Sequence, residues 1–366
     1  AGSKKCIPCE PGKYMTTSAT RQSESSCTVC PTGQYSSQLA SPNCIICAAG
    51  RSNSLTNQKS VQSCEICQAG FWSGTSAASC TACQAGKYLT DERTESSLHD
   101  SIDRCLSCPS GSYNNQVGKG HCERCDAGKF FGGIGGTDAS VCTVCPGGKF
   151  SNKMAANCQS CPSGTYLPGS SNHIAHDSPD DCSVCPSGTW SGSTSTGCTL
   201  CSTGKYLHDE SLVLPALHDS ENDCVACSLG EYSATIGSSE CRTCLAGSYN
   251  NERGQTSCNT CAAGKWSIPA SSSCENCEAG RFLPDAATNI YLHDNLEDCQ
   301  ICLGGTYSSA GSSGCILCAA GKFNPQGSIS LSHAHINECK LCPAGRHSGG
   351  SGSNTCVECP SGKFNA

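Results

Sequence analysis

The sequence predicts a fold of small disulfide-rich repeats: an elongated solenoid or rod with minimal short β-hairpins, little helix and no single hydrophobic core. Three observations predict it. All 38 cysteines fall into nineteen Cys-x-x-Cys pairs, from Cys6 to Cys359. Every pair has Gly three residues after its second Cys, and seventeen of the nineteen have Tyr, Phe or Trp two residues after that Gly, the exceptions being Ser52 and His347. Core-forming material is otherwise scarce, with 5% aromatic and 14% charged residues in a chain of 366. Such a chain cannot bury enough apolar surface to offset its ordering entropy, so covalent closure must supply the difference. Residues 1–366 read as one continuous tandem array, cut mid-unit at each end, in which each unit touches only its neighbours.

The spacing between pairs tends to alternate. From Cys27 the steps are 17, 20, 16, 25, 17, 20, 16 and 24 residues, and the alternation fails between Cys224 and Cys274. Joining Ala366 to Ala1 would make the step from Cys356 to Cys6 sixteen residues, an allowed short step. That is expected if the segment continues a longer tandem chain or meets another subunit head to tail. Secondary structure should be minimal, because Gly and Pro punctuate every unit and no stretch keeps helical periodicity over ten residues. Strands of two to four residues are expected around Gly-x-aromatic, with irregular long loops.

Cysteine usage at this density places the chain in an oxidising compartment, extracellular or at the cell surface. Zinc is the competing use, since 12 or 13 residues between facing cysteines approaches zinc-ribbon spacing. Metal sites need pairs of Cys-x-x-Cys, however, and nineteen is odd. Two disulfide schemes fit the residues. In a daisy chain the second Cys of each pair bonds the first Cys of the next: Cys9 with Cys27, Cys30 with Cys44, Cys47 with Cys64, Cys67 with Cys80, and so on to Cys342 with Cys356. That leaves Cys6 and Cys359 for an intersegment bond. The alternative interlocks neighbouring pairs, as in Cys27–Cys44 with Cys30–Cys47. The equality of the motifs favours the first, and the second stays open. Each closed loop of about fifteen residues is worth ~3 kcal/mol in the chain-entropy model. The Gly should supply a positive φ, and the aromatic should fold over the sulfurs.

The long loops carry a further signature. His99, His176, His218, His293 and His333 each lie six residues before a Cys, and the first four are followed by Asp100, Asp177, Asp219 and Asp294. An acid closes each loop: Asp103, Asp181, Asp223, Asp298 and Glu338. These loops could offer oxygen ligands to calcium or a His to a transition metal. The favoured reading is structural, with no metal and no cofactor: Asp caps a turn and His lies over the next disulfide.

Other classes are excluded by what the chain lacks. A net charge of −7 with no basic stripe argues against nucleic acid. No run approaches a membrane span, and no leader precedes Ala1 in this numbering. Unusual residues are spread evenly rather than gathered at one place, so no enzyme is expected. Asn-x-Ser/Thr sequons are absent, whereas O-linked sugars on Thr16-Thr17-Ser18 or on residues 191–196 are expected to be tolerated.

The run Cys-x-x-Cys-Pro-x-Gly-x-Tyr, seen from Cys27 to Tyr35, Cys105 to Tyr113 and Cys158 to Tyr166, resembles the ephrin-receptor-like cysteine-rich repeat and, behind it, the tumour-necrosis-factor-receptor type of module. The resemblance covers essentially the whole chain. It implies loops each closed by their own disulfide, which supports the daisy chain, and elongated extracellular rods used as stalks, adhesion proteins and coats. Two functions are carried forward: the body of an extracellular filament, hair, stalk or surface coat that joins copies of itself end to end and laterally, or a receptor or adhesin ectodomain that binds protein or glycan through its long loops.

Overall fold

Each Cys-x-x-Gly run makes its own tight turn. The computed structural model describes residues 7–16, 26–209 and 214–363. Within it the Lys13 N–H donates to the Glu10 carbonyl at 3.1 Å, and Arg51, Phe71, Lys87 and Lys129 close equivalent turns. The turn needs a left-handed residue, and Gly33, for example, has φ of 75°. The following x-aromatic pair forms a two-residue strand. It pairs antiparallel with the two residues between the cysteines of the next pair: Lys13 with Val29 and Tyr14 with Thr28, then Gln34 with Ile46 and Tyr35 with Ile45. This register recurs as far as Arg346 with Glu358. The hairpins expected around Gly-x-aromatic are therefore present, every strand being two residues long.

A disulfide closes each hairpin. The second Cys of one pair bonds the first Cys of the next, from Cys9–Cys27, Cys30–Cys44, Cys47–Cys64 and Cys67–Cys80 to Cys342–Cys356, eighteen bonds among the described residues. The bonded cysteines are 13 to 23 residues apart in sequence. We call the segment closed by one bond a module. Cys359 carries a free thiol, and Cys6 lies outside the described residues.

Neighbouring modules are joined by backbone bonds on both sides of each Gly. The Gly12 N–H donates to Ser36 O, and Cys30 N–H donates to Gly12 O, both at 2.8 Å. Contacts also reach one module further, which corrects the expectation that units touch only their neighbours. Asn57 N–H donates to Cys30 O in the preceding module. Asn57 O itself sits over Gly12, two modules back, where an added Cβ would lie 2.6 Å from it. The same approach brings Ser76 O onto Gly33 and Ser96 O onto Gly50. The repeated Gly is thus needed twice, for its φ and for the absence of a side chain.

The core is not where the aromatics are. Most of the repeated aromatics are half-exposed, whereas the next residue is buried in all but the modules of Met15 and Phe131 among the described residues: Ser36, Asn53, Ser73, Leu89, Asn114, Ser151 and their equivalents. The second Cys of every pair from Cys9 to Cys318 is buried beside it. Aromatic covers sulfur before four leucines, but the bridge it packs on is the following module's and not, as expected, the one preceding its own Gly. Trp72 packs on Leu89 and the bridge Cys83–Cys105, Trp190 on Leu207 and Cys201–Cys224, and Trp266 on Leu283 and Cys277–Cys299; Phe150 does the same at Leu167.

The chain forms two compact units, the first comprising residues 1–161, 167–183 and 194–196, the second 162–166, 184–193 and 197–366. Both are built from modules of this one design. The long loops are more ordered than expected, each folding into short 3-10 turns such as Ser96–Leu98 and Ile102–Arg104. No helix among the described residues is long and apolar enough to cross a membrane.

Candidate functional site

The five histidines singled out by sequence are the most completely buried large polar side chains of the molecule, each 0% exposed. Each comes at the end of a 3-10 turn and turns its ring toward the preceding module. Nδ1 meets the carbonyl of the middle residue of Gly-x-aromatic: Phe71 at 2.6 Å from His99, Lys149 at 2.9 Å from His176, Thr189 at 2.7 Å from His218, Lys265 at 2.7 Å from His293 and Thr306 at 3.0 Å from His333. The carbonyl of the same histidine accepts the N–H of the residue after the aromatic: Ser73, Ser151, Ser191, Ser267 and Ser308. The histidine therefore stands in for a third strand against a two-residue strand.

The need for it follows from polar satisfaction. In several other modules the carbonyl of the middle residue is served by the next module's post-aromatic side chain. Ser73 Oγ donates to Arg51 O, Ser151 Oγ to Lys129 O, Asn53 Nδ2 to Gln34 O and Asn114 Nδ2 to Lys87 O. Leu89, Leu167, Leu207 and Leu283 have no donor to give. Those four modules are the ones whose loops bring in His99, His176, His218 and His293. A buried carbonyl left bare costs about 1–3 kcal/mol, and the imidazole removes that cost. In the fifth, Asn324 and His333 both reach Thr306 O at 3.0 Å.

The second ring nitrogen separates the five. Nε2 faces Asp91 at 2.9 Å in His99, Asp209 at 3.1 Å in His218 and Asp285 at 3.0 Å in His293. In His176 it accepts the Ser170 N–H at 3.2 Å, and in His333 it has no hydrogen-bond partner. The Thr94 hydroxyl beside Asp91 holds that carboxyl down to about 2, helped by His99 and the Thr94 and Glu95 N–H groups. The Thr288 hydroxyl, then His293, hold Asp285 well below the usual carboxylate range. A carbonyl at Nδ1 requires a proton there, and an ionised carboxylate at Nε2 requires a second. His99 and His293 are assigned from these partners as doubly protonated rings in buried ion pairs.

The partner acids lie eight or nine residues before each histidine and were not among those singled out. The adjacent acids point elsewhere. Asp100 pairs with Arg104 at 3.0 Å, and Asp294 accepts from Asn295 at 2.6 Å. Asp177 terminates the turn His173–His176, and Asp219 follows His218 without reaching its ring. The loop-closing acids Asp181, Asp223 and Asp298 cap the last turns by accepting the N–H of Ser178, Ser220 and Asn295. With four rings spent on protein partners at both nitrogens, the pairs His99/Asp100, His176/Asp177, His218/Asp219 and His293/Asp294 do not converge as ligand sets, and no cluster of three or more ligating groups occurs among the described residues. The pairing of Leu after the aromatic with a later His was visible in the sequence and is the signal that would have found the clamp.

The depressed carboxyls carry a pH prediction. A lowered folded pKa means that the stabilisation is present above the ordinary carboxylate value of about 4 and is lost as pH falls toward 2. The urea midpoint of the native chain is expected to fall across pH 4 to 2, and an Asp91→Asn, Asp285→Asn double variant is expected to show a shallower fall over that window. Parallel pH curves would remove these acids from the account.

Two segments, residues 96–142 and 305–353, match the family model described as tyrosine-protein kinase ephrin type A/B receptor-like. A human protein, signal peptide, CUB and EGF-like domain-containing protein 2, is 29% identical over 117 residues, 31% of this chain and 10% of that protein. A mouse protein, sushi, von Willebrand factor type A, EGF and pentraxin domain-containing protein 1, is 26% identical over 147 residues, 40% of this chain and 3% of that protein. The chain thus spans a tenth or less of the length of these relatives. The two matched segments are thus similar to ephrin-receptor-like cysteine-rich repeats, and no enzyme family is indicated by these matches.

Proposed function

We propose that this chain is the repeating body of an extracellular structural protein, a filament, hair, stalk or surface coat. The observation that carries it is the uniformity of the joints: each module is closed by its own disulfide and locked to the two modules before it. Such an array supplies length and fixed spacing rather than a cleft. Its partners are further modules of the same kind, with O-linked sugars on the Ser/Thr-rich loops. The Cys359 thiol is available to the first Cys of a following pair, Cys6 of another copy being the natural one. Rotary-shadowed or negatively stained single particles of the oxidised chain are expected to be thin and many times longer than wide. A population of compact particles would overturn the reading.

A second reading, a receptor or adhesin ectodomain, is favoured by the exposed apolar residues just before the buried histidines: Leu98, Ile174, Leu217, Leu292 and Leu331. Capture of a defined protein or glycan, abolished by changing one loop, would favour it over the first.

A further inference from the structure

The five clamps look alike in sequence and differ at one atom. Three rings face a carboxylate through Nε2 and gain from a second proton. The His176 ring has the opposite arrangement. Its Nδ1 donates to Lys149 O, so Nε2 must be the lone-pair acceptor of the Ser170 N–H. A second proton would set one N–H against another inside a fully buried site.

The charged groups around that ring do not rescue it. On its own loop are Asp177, whose carboxylate contacts neither ring nitrogen, Asp180 on the outer turn, and Asp181, which is engaged with Ser178 N–H. His173, one turn earlier, gives its Nδ1 to Ala127 O at 3.0 Å. On the strand it clamps, Lys149 offers its carbonyl. Leu167, at the post-aromatic position, has no donor with which to keep Lys149 O satisfied once the ring leaves.

We propose that the loop closed by Cys161–Cys182 is an acid-released segment, opening when His176 protonates, while the loops held by His99, His218 and His293 stay shut. Imidazoles ordinarily charge below about pH 6.5. A second proton on His176 removes the acceptor that the Ser170 N–H needs, whereas a second N–H on His99, His218 or His293 meets a carboxylate. Release also uncovers the module two back, because His173 O is the group that sits over Gly128.

The test is hydrogen exchange on the intact oxidised chain at pH 7.5 and 5.0, read residue by residue and corrected for intrinsic rates. The amide of Ser151, which donates to His176 O, is expected to lose at least tenfold in protection at the lower pH. The equivalent amides of Ser73, Ser191 and Ser267 are expected to stay within threefold. His176→Asn keeps a donor for Lys149 O and cannot charge, so it is expected to abolish the acid response at Ser151. A fall shared by all four amides, no fall at Ser151, or an undiminished fall in the Asn variant would each overturn the proposal.

Discussion

Replacing both Cys83 and Cys105 by alanine is expected to cost about 3 kcal/mol from the freed 22-residue loop alone. More is lost because both sulfurs belong to a buried cluster with Leu89 and the half-buried Trp72. Proteolysis of the variant should be faster between Leu89 and Arg104, a loop whose His99 is held by Phe71 O and Asp91 in the native chain. The damage should also travel. Ser96 O lies over Gly50, so the module Cys47–Cys64, two back, should lose amide protection while Cys9–Cys27 keeps its own. If exchange rises only within residues 83–105, docking across two modules does not contribute to stability.

Gly128→Ala is expected to be among the most damaging substitutions of a single small residue. The backbone there has φ of 79°, and an added Cβ would lie 1.8 Å from His173 O. The left-handed conformation alone strains alanine by about 1–3 kcal/mol, and the loop of the Cys161–Cys182 module must then lift away. Amides of that loop should exchange on the order of 100-fold faster, the equivalent of about 3 kcal/mol. Gly192→Ala is the control: nothing lies within 4 Å of its added Cβ, and its φ is not left-handed. Equal stability of the two variants would refute the close-approach role of the repeated glycine.

The repeat was legible from the sequence because its chemistry is local. Cys-x-x-Cys, the Gly three residues on and the aromatic beyond it fix a turn, a strand and a bridge within one module, and those elements are present as expected. What the residues did not announce were relations between modules. The position after the aromatic attracted no notice, because Ser36, Asn53 and Leu89 share no side-chain chemistry; they share only a place, the buried junction of successive modules. The histidines were found, but the acids that meet their rings were not among those singled out. Asp100 follows His99 directly, yet Asp91, eight residues earlier, is the one carried to Nε2 by a turn that its own contacts with Thr94 and Glu95 create. Short sequence distance misled because the loop doubles back.

Tension applied along such a chain would bypass its loops. It would cross each bridge, where the Cα atoms stand 5.6 to 5.8 Å apart, and run through the four residues of Cys-x-x-Cys to the next. Fully drawn out, that route allows roughly 16 Å per module, against 50 Å or more once the sulfurs are reduced. The loops hang slack beside the strained path, free to vary in length and surface without changing how far the molecule can stretch.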